Sequence, residues 1–551
     1  MINNDAVSYH IFCFPFRWDC LKSGEYIANT SFNERTALDC VETHLKKEEK
    51  WTDFDFVSNK KEYYNRFAYF YDFSRDAIFN INKKSELLRT YFRPDLKGGF
   101  YEIKINKSFS NQEYTYLLDI EEVRINMYST GVGVLSFSLA YHDKNQANLD
   151  DILRINDYGR RLYPQFIDAN NDADNVENLL QATQNAFLAE HIQISDNKKA
   201  TIFKEDFREL KDILNGNNQE KTFDLIGNRF LDKILGVSFD NNEDYKPNTN
   251  RVVVCPSIDD RMYVLCSYFD TNKIKALCAY NEDENVETYL NSSDDTTKEW
   301  MMYMFVDNSM NTAQSKRLRA NLLKKHTYSR WEETNTLYGI TRFSTVMLSE
   351  DNWFPRHILK SHMNGMYYEM AQLCLMQRAT ILRISSDLNI FATAKGNRTS
   401  DEIKQIYKKY ISFINNLYFR EVTAQEQGIE MYDMMQDAMR LEREVKSLDE
   451  EISEIFTFLN LEENEKQSRR AERLSFLATI FLPATVIAGL FGMNMLDGTW
   501  FTTLLDRIQD NPAALFTPQN FRLSDHGFEV VLLLVMITTL ISYYSFKSKQ
   551  K

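Results

Sequence analysis

The chain has 551 residues, with 65 Lys and Arg against 79 Asp and Glu, for a formal net charge of −14. That balance excludes the basic stripe a nucleic-acid-binding surface needs, and the length suits two or three domains. The seven cysteines (Cys13, Cys20, Cys40, Cys255, Cys266, Cys278, Cys374) are far apart and form no C-x-x-C pair, which argues for reduced thiols and against a zinc or disulfide framework. The N-terminus, MINNDAVSYHIF, has neither a basic n-region nor a long apolar h-region. No signal peptide is therefore expected, and most of the chain should stay on the side where it is made.

Residues 1–345 mix strand and helix signals and predict a cytosolic α/β or α+β domain. Strand-like runs are His10–Trp18, Tyr101–Asn106, Tyr114–Tyr128, Val132–Tyr141, Arg251–Cys255 and Met262–Phe269. Helical patterns are Asn33–Glu48, Asp150–Tyr158, Asn178–His191 and Lys204–Leu214. Neither G-x-x-x-x-G-K-[ST] nor G-x-G-x-x-G occurs, only Gly131-Val132-Gly133, so ATP-driven pumping is not expected. His357 and His362 are five apart, the wrong spacing for two ligands on one helical face, and no Ser/His/Asp or Cys/His set is local. An enzyme is therefore not expected. Arg160-Arg161 follow Asn156-Asp157-Tyr158-Gly159, and Asp259-Asp260-Arg261 opens a strand. Arginines beside a tyrosine could hold a phosphate and stack a base, which makes Arg160, Arg161 and Arg261 candidate ligand-binding residues. The competing reading is a surface salt-bridge cluster.

Residues 346–422 predict a helical hairpin. Its first helix is Met363–Phe391, its turn Ala392–Arg398, and its second helix runs from Thr399 or Ser400 to about Phe419. A stalk follows over 423–474. Thr423-x-x-Glu426 fits a capping box. Met434, Ala438, Leu441, Val445, Leu448, Ile452, Ile455 and Leu459 follow heptad spacing. An unbroken helix from Ala424 to Phe491 would be on the order of 100 Å long. Between Glu426 and Glu465 lie 13 acidic and 3 basic residues, read here as a solvated helix face.

Two apolar segments then suit membrane spans, residues 475–494 and 528–546. The first, from Ser475, is about 30 Å long, the thickness of the hydrocarbon core. Arg469, Arg470 and Arg473 precede it; Lys547, Lys549 and Lys551 lie in the tail, 547–551. Positive-inside places both termini in the cytoplasm and the 495–527 loop outside, a multi-pass protein of the inner membrane. Two helices cannot enclose a pore, so a conducting path needs several copies around an axis. Ala471, Leu474, Ala478, Leu482, Thr485 and Gly489 form a small-residue face suited to line it. The other reading of that face is packing against the second span. Pro483 frees the carbonyl of Thr479 and would kink the helix.

Gly492-Met493-Asn494 closes the stretch ATIFLPATVIAGLFGMN, Ala478–Asn494. In that position the motif resembles the CorA family of divalent-cation channels. The resemblance covers roughly Thr423 to Lys551. It implies a funnel-shaped homopentamer in lipid, with a ring of Asn494 carboxamides as the selectivity filter and Gly492 and Met493 shaping its turn. Asn494 would contact the ion through its hydration shell, which suits Mg²⁺ because that ion sheds water reluctantly. Leu474, Leu482 and Thr485 match pore-facing family positions, whereas Ala471 stands where the family often has a bulky gate. The main stalk carboxylate of the family falls on Thr457, and the outer loop is longer than usual. Its Asp497, Asp506, Asp510 and Asp525 either concentrate cations or are simply solvated. Two functions follow from the resemblance. One is a passive channel for Mg²⁺ or another divalent cation, driven by the membrane potential, with no covalent cofactor and no nucleic-acid partner. The alternative uses the same pore in a membrane effector of type III CRISPR antiviral defence, gated by a small nucleotide messenger.

Overall fold

The computed structural model describes residues 6–26, 32–54, 66–79, 85–107, 112–162, 188–206, 226–236, 250–258, 261–282, 286–308, 310–393 and 400–492. It also describes 64, 239–240 and scattered positions between 533 and 544. The chain divides into two compact units, Met1–Glu450 and Glu451–Lys551.

The first unit is built on one large, mostly antiparallel sheet, which settles the expected alternatives as a mixed α+β domain. Its order is Thr327–Tyr328, Thr336–Ile340, Ser344–Ser349, Tyr263–Phe269, Ser8–Leu21, Val132–Tyr141, Gln112–Tyr128, Phe100–Lys107, His191–Ser195, Thr201–Asp206. Ser8–Leu21 is the organising strand. Along one side it pairs with Val132–Tyr141. Along the other it pairs first with Tyr263–Phe269 through Cys13, then with Arg251–Pro256 from Phe16 on. Pro15 falls in the gap between these partners, where a missing N–H interrupts neither ladder.

Both faces of this strand are covered. On one, His10, Phe12 and Phe14 meet Asn156, Tyr101 and Phe230. On the other lies the helix Tyr368–Thr393, packed on Ser8–Leu21 and Val132–Tyr141. This second contact is polar. Arg124 donates to both carboxylate oxygens of Glu369 at 2.9–3.0 Å and to the Tyr368 hydroxyl at 3.1 Å. Ser136 bonds the same hydroxyl at 2.6 Å. Asn126 donates to Gln372 at 2.5 Å, and Thr130 meets Thr380 at 3.0 Å. At the far end Arg383 donates to the carbonyls of Trp18 and Gly131, at 2.9 and 2.6 Å, and to Asp19 at 2.6 Å. Gly131 turns the hairpin at φ +80°, and an added Cβ there would collide with the Arg383 guanidinium. Glycine is required on both counts.

Several expected elements differ. The helix expected over Asn33–Glu48 is broken into Phe32–Arg35, Leu38–Leu45 and a 3-10 turn, Lys46–Glu48. Lys204 lies in the strand Thr201–Asp206, paired with His191–Ser195, so no helix starts there. His191 likewise opens a strand rather than ending a helix; 178–187 and 207–214 lie outside the described residues. The first hairpin helix continues from a π-turn, Met363–Tyr367, into Tyr368–Thr393; the second is Ser400–Asn416. Most of the turn between them, 394–399, lies outside the described residues.

The stalk is not one helix. Arg440, at φ 59°, separates Glu426–Met439 from Leu441–Gly492. This break resets the helical phase. The buried residues before it are Gly428, Met431, Tyr432, Met435 and Met439 rather than Met434 and Ala438. After it Leu441, Leu448 and Ile452 are buried as the heptad predicts. The capping box is absent as well. Thr423 is held in a bridge to Phe70 with its hydroxyl on the Tyr69 carbonyl, and the N-cap is Gln425. Nor is the acidic face wholly solvated, since Arg330 pairs with Glu426 and Glu430 at 2.9 and 2.6 Å.

Removing one partner of the Arg124–Glu369 pair leaves the other charge buried, so Glu369→Ala should cost about 3–5 kcal/mol in chemical unfolding. The double change Arg124→Met with Glu369→Leu should recover most of it; equal loss in the double variant would show that the pair is not the cause.

His10 gives a pH dependence. Burial pushes its imidazole down to about 4, against a bond to Asn156 that favours the charged form. An unfolded chain holds His10 near its ordinary value and so binds more protons between about pH 4 and 6.5. Stability should therefore fall as pH drops through that window, by roughly 3 kcal/mol for this residue. Urea midpoints measured across it should slope less in His10→Asn than in the parent.

Candidate functional site

Two places carry the residues singled out from the sequence. The first is the C-terminal part of Leu441–Gly492. Along this helix Ala471, Leu474, Ala478, Leu482, Thr485 and Gly489 are all exposed in the single chain. A side-chain carbon at Gly489 would meet nothing within 4 Å. Leu474 is 68%, Leu482 63% and Phe481 62% exposed, which is unusual for large apolar side chains. The two hydroxyls are closed on the helix itself. Thr479 donates to Ser475 O and Thr485 to Phe481 O, each at 2.7 Å. Thr457 also donates to its own helix, to Ser453 O at 2.8 Å.

Pro483 lies within this helix, and its side chain is outside the described set, as is Met493-Asn494 entirely. Gly492 is the last described residue of the helix. The loop 495–527 and most of 528–546 lie outside it too. Among the described residues no helix is long and apolar enough to cross a membrane.

The second place is the arginine cluster. The helix Leu149–Gly159 starts at Asn148, whose side chain accepts from Asp151 N, and ends where Arg160 and Arg161 follow. Tyr101 donates to the Gly159 carbonyl at 2.7 Å, fixing that end against the sheet. Arg161 is bridged to Arg261, and Met262 N donates to Arg160 O at 2.9 Å. All three sequence-selected arginines are thus brought together.

The cluster is buried, not superficial: Arg160 is 2% exposed and Asp157 4%. Asp157 is the shared counter-ion. Arg160 reaches it at 3.3 Å, Arg161 at 3.0 Å and Asn308 at 2.5 Å. Arg160 also donates to Val306 O at 3.0 Å, yet its Nε and Nη1 have no hydrogen-bond partner. Burial pushes its guanidinium down to about 10, with Asp157 opposing and Arg161 and Arg261 adding to the fall. Arg261 and Arg378 both lie over the Phe343 ring, at 4.7 and 5.7 Å. Asp307 is near enough to Arg160 and Asp157 to feel both, but burial raises its carboxyl above the usual range. Two buried donors of Arg160 thus find no acceptor among the described residues.

Phe343, Arg378 and Asn308 were not foreseen. They lie far along the chain from Arg160, and no local pattern marks them. Asp259 and Asp260 lie outside the described residues. Among the described residues no group of three or more His, Cys, Asp or Glu is placed to hold a metal ion.

The family model described as CorA-like Mg²⁺ transporter protein matches residues 380–504. That stretch therefore carries a CorA-like domain, of a membrane-associated family. No curated protein matches the chain. Among solved structures, the one described as "structure of the full-length CmaX protein" aligns at 12% identity and a TM-score of 0.21, covering 53% of this chain and 89% of that one. At that TM-score the likeness carries no argument.

Proposed function

We propose that this chain is a passive channel for a divalent cation, Mg²⁺ fitting best, built from several copies around an axis in the inner membrane. The row Leu474, Ala478, Leu482, Thr485 and Gly489 supports this reading most directly. It lies inside the CorA-like match, and it is exposed and unpartnered in the single chain. Its hydroxyls are satisfied by the helix's own carbonyls, so the helix can leave water without stranding a donor. Five copies, as in the resemblance, would bring five Asn494 carboxamides to one ring. A neutral amide binds the hydrated ion without stripping it, so entry and release both stay fast. The two spans, 475–494 and 528–546, would place both termini in the cytoplasm. The membrane potential would supply the driving force, and no covalent cofactor is required.

In a strain lacking Mg²⁺ uptake the parent chain should restore growth at low Mg²⁺, and Asn494→Ala should lose that rescue while remaining in the membrane. Rescue undiminished in Asn494→Ala would overturn the filter assignment.

The arginine cluster favours a second reading, in which the pore opens when a small nucleotide messenger binds the first unit, as in an antiviral effector of a type III CRISPR system. Arg160 offers two buried donors without acceptors, and Phe343 offers a ring already carrying two guanidinium groups. Phosphate would supply the missing acceptor and a base could share the ring. Thr457 fits this reading as well, because a neutral residue there cannot bind Mg²⁺ to hold the channel shut. Calorimetry of the full chain against a nucleotide panel should then find a binder, weakened about tenfold or more in Arg160→Met. No binder across the panel, with Mg²⁺ rescue intact, would leave the ungated channel as the function.

A further inference from the structure

The helix Lys316–His326, sequence KRLRANLLKKH, holds no acidic residue in a chain of net charge −14. Leu323 is its buried anchor. Arg319 turns back to the fold, donating to the carbonyls of Ser292, Ala313 and Gln314 at 3.2, 3.3 and 2.9 Å. Lys316, Arg317, Lys324 and Lys325 are exposed, and among the described residues none of them has an ion-pair partner.

Helix electrostatics accounts for only part of this pattern. Lys324 and Lys325 suit the last turn, where the macrodipole favours cations. Lys316 and Arg317 sit in the first turn, where it opposes them, and no acid in that turn offsets the cost. Residues four apart share a helical face. Lys316, Ala320 and Lys324 therefore form one row, and Arg317, Asn321 and Lys325 the next. The cations at the two ends of a row are about 12 Å apart. The middle of each row is a short side chain, which lets a second helix come close.

A surface of matching charge lies on this chain's own stalk. At the start of Leu441–Gly492, Glu442 and Glu450 are exposed, and among the described residues neither has an ion-pair partner. They share a face and are also about 12 Å apart. Lys446, midway between them, would fall opposite Ala320.

We propose that Lys316–His326 docks on stalk residues 441–450 of a neighbouring copy of this chain, with Lys316 and Lys324 facing Glu442 and Glu450 of the partner subunit. The inference rests on the reading that several copies gather around an axis. Single exposed ion pairs contribute little, so the register of two helices carries the contact rather than any one pair. The basic helix runs straight into Thr327–Tyr328. Tyr328 donates to Glu430 at 2.5 Å, and Arg330 holds Glu426 and Glu430. The docking helix is thus tied to the helix Glu426–Met439 of its own copy, and a shift in one stalk reaches the next copy through it.

The test uses the purified full-length chain in nanodiscs of phosphatidylcholine, which carry no anionic headgroup. A carbodiimide joins a carboxylate to an amine only where the two touch. A covalent dimer should form, and peptide mapping should find Lys316 or Lys324 linked to Glu442 or Glu450. Its yield should fall about tenfold in the double variant Lys316→Gln with Lys324→Gln, and likewise in the parent at about 1 M salt, where the screening length is about 3 Å. Exchanging the charges, with Lys316→Glu and Lys324→Glu against Glu442→Lys and Glu450→Lys, should restore it. An oligomer by native mass spectrometry that gives no such linkage would overturn the docking and leave the channel reading standing. A monomer would overturn both. Protection of Lys316 and Lys324 from acetylation only when phosphatidylglycerol is added would assign the helix to a lipid surface and also overturn the proposal.

Discussion

The first unit depends on one interaction, the docking of Tyr368–Thr393 on the sheet through buried polar groups. Most helix–sheet contacts are apolar, and this helix has the residues for one: Met370, Ala371, Leu373 and Cys374 are all buried. Yet Arg124 and Glu369, both nearly inaccessible, meet in the middle of it. Burial alone would lower the Arg124 guanidinium, but the Glu369 carboxylate outweighs it and raises the group well above normal. Such a pair adds little net stability compared with an apolar isostere. What it does is penalise every wrong alignment, because a slip by one residue leaves a charge buried and unpaired. Arg383, sitting 14 residues further on against Asp19 and Gly131, repeats the condition at the other end. Two such points define both the position and the rotation of the helix.

The arginine cluster obeys the same physics with the opposite outcome. At Arg124 the donors are spent on Glu369, Tyr368 and Gln372. At Arg160 only Nη2 finds acceptors, and Asp157 is shared with Arg161 and Asn308. A closed network holds a structure together; at Arg160 two buried donors are left without an acceptor among the described residues. The fold keeps this arrangement in place with strong neighbours, since Gly159 is packed against Phe12 and Ile103 and bonded by Tyr101.

What the sequence discloses follows from how local the cause is. Val132–Tyr141 and Arg251–Pro256 read as strands because their β-branched and apolar runs are decided by near neighbours. Residues 204–206 do not, because their strand state comes from pairing with residues 191–193 and their charged side chains alone carry no strand signal. The stalk break at Arg440 was invisible for a similar reason. Nothing in MRLE marks a left-handed residue, and the phase change appears only once Met431 and Met435 find their burial. Arg160 and Arg161 stood out as adjacent charges. Arg124 and Glu369, 245 residues apart, could not. Contacts across that distance are properties of the folded sheet, not of any window along the chain.

The lower part of Leu441–Gly492 completes the argument about selectivity in the proposed assembly. Its candidate pore face is apolar apart from Thr485, whose proton is committed to Phe481 O. Such a wall has no ligands to replace the waters of a divalent cation, and a bare Mg²⁺ could not cross it. In that assembly the ion would travel with its hydration shell along Leu474, Ala478, Leu482 and Gly489, and the wall would restrict only by width. Choice between cations then falls to a group able to read a hydrated ion. The carboxamide of Asn494, two residues past Gly492 in the sequence, is the group of that kind which the motif supplies. In that proposed assembly the neutral Thr457, bonded to Ser453 O, would leave regulation to other residues.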